Sequence, residues 1–97
     1  MATREEVKID MKVRLYHDSP QRLFQAGPNW EVQPLGFYYD TEQGVDIAMK
    51  RIMLDILARE GKSLPNNRWN QLRAGINRDT IVSDAIDIIT NIAAFAS

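Results

Sequence analysis

Apolar and polar residues alternate without a break from residue 7 to residue 16, and no other feature constrains the fold of this chain so strongly. Val7, Ile9, Met11, Val13 and Leu15 take one parity; Lys8, Asp10, Lys12, Arg14 and Tyr16 take the other. A sustained period of two matches the pleat of a half-buried strand. Thr3 and Glu6 have the spacing of a helix capping box. On a helix, however, the five apolar side chains divide into two separate arcs. The pattern therefore predicts a strand, with Lys8, Lys12, Arg14 and Tyr16 on its solvated face.

Beyond this segment the punctuation is clear. Ser19 suits an N-cap and Pro20 a first helical position, and Gly27-Pro28 stops the chain, so a short helix carrying Leu23 and Phe24 is expected over about 20–26. Residues 30–40 are rich in aromatics. Trp30 and Val32 alternate, followed by Leu35, Phe37 and Tyr39, with Tyr38 facing outward. Pro34 and Gly36 interrupt, which predicts two short strands or one broken edge strand. Helix signals then take over. Asp40 or Thr41 caps, and Val45, Ala48, Met49, Ile52, Met53, Ile56 and Leu57 follow the i, i+3, i+4, i+7 rule up to Gly61. A shorter helix opens at Ser63 and Pro65, carries Trp69 and Leu72 on one face, and closes at Gly75. A last helix starts at Asp79 or Thr80 and runs close to the C-terminus. The expected fold is a single α+β domain over residues 1–97. A small antiparallel sheet from the first 40 residues packs against about three C-terminal helices.

A chain of 97 residues is one domain's worth. Its composition, 44% hydrophobic and 26% charged, is that of a globular protein and not of a disordered one. The absence of cysteine excludes disulfides, thiolate metal sites and cysteine nucleophiles. The N-terminus has no apolar signal-peptide core, and the longest uncharged run, 88–97, falls far short of the ~20 residues of a membrane span. These features predict a cytoplasmic protein with no membrane contact. The net charge of −1 lends no support to a dedicated nucleic-acid binder, which is normally basic.

Signals for catalysis are sparse. His17 is the single histidine, and its neighbours Asp18 and Ser19 are consecutive with it, whereas a relay draws side chains from separate parts of a fold. Asp84 and Asp87 read as the solvated stripe of an apolar helix. The glycines at 27, 36, 44, 61 and 75 are too dispersed to cradle a phosphate. No enzymatic activity, cofactor or metal is expected.

Two features point to binding. First, the helices expected over 42–60 and 80–96 carry more than one apolar face. Ile47, Leu54 and Ala58 lie opposite the main stripe of the first, and the apolar arc of the second, with Ile88, Ile92 and Phe95, covers most of its circumference. With the exposed Tyr38, these residues form a candidate subunit interface. They predict a homo-oligomer, a dimer or a higher cyclic ring, that binds another protein as regulator, inhibitor or assembly factor. Second, residues 61–78 carry Lys62, Arg68, Arg73 and Arg78 with no acidic residue, together with amides that include Asn66 and Asn70. Cations, amides and Trp69 are suited to contacting phosphates and bases. The alternative expectation is thus a binder of nucleic acid or of a phosphate-bearing nucleotide.

Overall fold

Thr3 and Glu6 do close a capping box, and the segment it opens is a helix. The Thr3 hydroxyl accepts from the Glu6 N–H at 3.3 Å, and the Glu6 carboxylate accepts in return from the Thr3 N–H at 3.4 Å. In the structure, a computed structural model that describes residues 2–97, the regular elements are all helices. Its α-helices are α1 (Arg4–Asp18), α2 (Pro20–Ala26), α3 (Glu42–Glu60), α4 (Asn66–Gly75) and α5 (Val82–Ala93). The expected α+β fold with an antiparallel sheet is therefore overturned: among the described residues there is no strand.

The reason lies in the geometry of the 7–16 alternation. A two-residue step turns a helix by 200°, so every fourth residue returns to nearly the same side. Val7, Met11 and Leu15 form one i, i+4, i+8 stripe, and all three are fully buried. Ile9 and Val13 fall on the opposite side and stay exposed. The two arcs that seemed to exclude a helix are both present, one in the core and one outside it.

The aromatic segment after α2 is also not extended. Gly27–Val32 and Leu35–Phe37 form 3₁₀ turns whose period of three, not two, decides which side chains go inward. Trp30, Leu35, Tyr38 and Tyr39 are buried and Phe37 is partly so. Tyr38, expected outside, is thus a core residue. Only one antiparallel bridge, between Pro34 and Ile81, remains of the expected sheet. Backbone bonds from Leu35 N–H to Thr80 O and from Gly36 N–H to Arg78 O, both 2.8 Å, fasten the turn segment to the loop before α5. A Cβ on Gly36 would meet Arg78 at 3.2 Å, a contact tight enough that Arg78 would have to shift by a few tenths of an ångström.

The later helices match the sequence closely. Thr41 caps α3 by accepting from the Gly44 N–H at 2.9 Å, and Gly61, at φ +61°, ends it in the left-handed conformation that glycine allows. The whole predicted stripe of α3, from Val45 to Leu57, is buried. Helix α5 is the central element and packs against α1, α3, α4 and the turn segment. Val82, Ala85, Ile86, Ile89, Ile92 and Ala93 are all in the core. The domain measures 38 × 23 × 18 Å, about two helix diameters in its shorter dimensions.

Candidate functional site

Helices α1 and α2 meet at Ser19-Pro20 and present a continuous apolar face to solvent. Ile9 and Val13 are each 63% exposed, Tyr16 is 53% exposed, and Phe24, at 77%, is the most exposed large apolar side chain described. Two shallow troughs run along this face. One, about 300 Å³, is lined by Ile9, Lys12, Val13, Tyr16 and Leu23. The other, about 280 Å³, is lined by Lys12, Tyr16, Leu23, Phe24, Gly27 and Trp30. They share Lys12, Tyr16 and Leu23, which makes them one groove. The Tyr16 and Phe24 rings lie 6.4 Å apart at a tilt of 58°. The Lys12 ammonium sits 5.7 Å from the centroid of the Trp30 ring, within cation–π range. The groove wall is braced from behind: the Tyr38 hydroxyl donates to the Trp30 carbonyl at 3.2 Å. Burial pushes the Tyr38 phenol up to about 12.

Ion pairs border this face. Lys8 pairs with Glu31 at 2.8 Å, and that hydrogen bond holds its pKa above the usual lysine value. On the opposite side of α1 lies a seam with α3: Arg59 bonds Asp10, and Arg14 reaches Asp55 at 3.6 Å. The Asp10 carboxylate raises the Arg59 pKa. Surface pairs of this kind contribute little to stability. Their effect here is to set a polar boundary between the α1–α2 face and α3.

The interface expected from the sequence is only partly on the surface. On α3, Ile47, Leu54 and Ala58 are exposed, as their position opposite the core stripe requires. On α5, Ile92 is buried and Ile88 half-buried against the core, so the wide apolar arc of this helix is covered by its own chain. Tyr38 is likewise withdrawn. Phe95 is 54% exposed, but the Arg68 guanidinium lies over its ring at 3.5 Å.

The basic segment does not act as one patch. Arg78 is engaged with its own chain: its guanidinium donates to the carbonyls of Tyr39 (3.3 Å) and Gly36 (3.5 Å). Arg68 stacks on Phe95 and donates to Gln71 at 2.9 Å. Arg73 borders an open cleft between α3 and α4 whose other wall carries the acids Glu42 and Asp46. Lys62, Asn66 and Asn70 are exposed, with Lys62 in the loop before α4 and the two amides on α4.

At the end of α1, His17 Nδ1 lies 2.9 Å from Asp18 Oδ1, and the Tyr39 hydroxyl donates to Asp18 Oδ2 at 3.1 Å. Burial, with Asp18 beside it, pushes the Tyr39 phenol well up. Ser19 turns away and donates to the Tyr38 carbonyl at 2.6 Å. Among the described residues no three His, Asp or Glu side chains gather as metal ligands, and no helix is long and apolar enough to cross a membrane.

The strand reading puts Tyr16 on the solvated face but Ile9 and Val13 in the core, so it does not bring Ile9, Val13, Tyr16 and Phe24 together as one surface. The capping box at Thr3 is the local signal in favour of the helix on which the two stripes part. The chain matches no protein-family model, no curated protein and no solved structure.

Proposed function

We propose that the chain is a self-associating interaction module whose contact surface is the α1–α2 groove, and that the occupant of the groove is a second copy. The observation that carries this reading is the row Ile9, Val13, Tyr16 and Phe24, four large apolar side chains left outside a core that has closed without them. At their exposures they present on the order of 450 Å² of apolar surface, within the roughly 300–600 Å² of the largest, often functional, patch on a typical monomer. A standard interface takes roughly 800 Å² from each partner, of which somewhat more than half is apolar. The exposed row thus supplies the apolar part of one such face. A twofold pair is the commonest arrangement that lets one surface serve as both sides.

The nucleic-acid reading loses support, because Arg78 and Arg68 are occupied within the chain and Arg73 faces acids. Sedimentation equilibrium at micromolar concentration tests the proposal. A mass of twice the chain is expected, and a monomer mass across the whole range would refute it.

A further inference from the structure

Within that self-associating pair, on which this inference rests, we infer that Phe24 of each copy seats in the aromatic end of the other copy's groove, between Tyr16, Leu23, Gly27 and Trp30. The chemistry of this end selects an aromatic guest. Three rings line it, Tyr16, Phe24 and the largely buried Trp30, and its rim carries the Lys12 ammonium, held over the Trp30 ring. A phenyl ring entering here stacks on the rings at one edge and turns a face to the ammonium at the other, interactions an aliphatic side chain does not offer. The space fits: a cavity of about 150 Å³ suffices to take a benzene ring, and this trough measures about 280 Å³.

The chain also supplies the guest. Among its exposed aromatics, Phe95 carries the Arg68 guanidinium on its ring and Tyr16 is 53% exposed, whereas Phe24, which borders the trough beside Tyr16, projects from α2 with 77% of its surface free. Knob and trough stand side by side on one face, the arrangement a twofold contact needs, because each copy then gives and receives one ring. Lys12 is exposed, so its head remains at the rim in water while its stem lines the groove.

Sedimentation of wild type, Phe24→Ala, Tyr16→Lys, Val13→Glu, and an equimolar mixture of Phe24→Ala with Tyr16→Lys tests this, each variant checked for native helicity by circular dichroism. Phe24→Ala removes the knob and, with it, one border of its own trough, but leaves the Tyr16, Leu23, Gly27 and Trp30 walls; Tyr16→Lys disrupts the trough and leaves the knob. Each variant alone should raise the dimer dissociation constant by roughly 30-fold or more, as for an interface hot spot. The mixture should recover part of the association, because the intact ring of one variant meets the remaining Tyr16, Leu23, Gly27 and Trp30 walls of the other. If Phe24→Ala dimerises like wild type while Val13→Glu is monomeric, the ring contact is wrong and self-association through this face stands. Folded variants whose mixture shows no recovery also overturn the inference. A wild type that stays monomeric leaves the groove to a different protein, and both the inference and the proposed function fail.

Discussion

The two apolar stripes of α1 lie on one helix at nearly the same spacing, yet they meet opposite fates. Val7, Met11 and Leu15 are sealed against α5, α2 and α3, whereas Ile9, Val13 and Tyr16 look out into water. Burial of the first stripe supplies folding energy. Exposure of the second forgoes it, and an apolar row that a fold leaves unused is available for association. The contrast shows how a strict alternation reads on a helix: it marks two faces, and a small domain has room to cover only one.

Substitutions on the two stripes should differ most. Met11→Ala opens a cavity in the sealed face and should cost about 2–4 kcal/mol in chemical denaturation. Val13→Ala, on the open face, should change the stability of the isolated monomer by no more than about 0.5 kcal/mol. Comparable losses at both positions would mean that the outer stripe is also packed, and the comparison would break.

The capping box is what commits these residues to a helix, so its loss should act on both stripes at once. Thr3→Ala leaves the Glu6 N–H without its partner and should lower stability by about 1 kcal/mol. Hydrogen exchange should show the loss as faster opening of the first turn of α1.

Tyr38 sharpens the comparison from behind the groove. Tyr38→Phe deprives the Trp30 carbonyl of its hydrogen bond and should cost about 1 kcal/mol at neutral pH. The sign of the pH effect is set by burial, which raises the folded phenol to about 12 from an ordinary value near 10. Above pH 10 the unfolded chain releases this proton first. The stability linked to it is therefore complete below pH 10 and is lost as pH climbs towards 12. Wild type should weaken over this window more steeply than Tyr38→Phe, a difference that urea titrations at stepped pH would reveal. Parallel curves would contradict the burial of this hydroxyl.

Much of the fold was legible where the local signals agreed. Pro20 and Gly27 bracket α2, Thr41 and Gly61 bracket α3, and the i, i+3, i+4 row of α3 identifies its buried positions. It was not legible where one pattern fits two geometries. The parity of residues 7–16 fits a strand face and a two-faced helix equally, and only the distant packing of α5 decides which stripe is covered. The aromatic segment failed for a related reason. Its side chains are placed by bonds to the loop before α5, from Leu35 to Thr80 and from Gly36 to Arg78, which no local pattern encodes. Of the site, Ile47, Leu54 and Ala58 were placed correctly on the surface, because α3 was read as a helix from the start. Ile88 and Ile92 were not, because a central helix and an interface helix have the same wide apolar arc.

The most direct test sets the open stripe of α1 against the exposed row of α3. Val13→Glu and Leu54→Glu place the same charge on comparably exposed positions, on either side of the Asp10–Arg59 seam. Sedimentation equilibrium of both, beside wild type, should give a monomer for Val13→Glu and an unchanged dimer for Leu54→Glu. A dimer that survives Val13→Glu and dissociates with Leu54→Glu would place the contact on α3 and contradict the account.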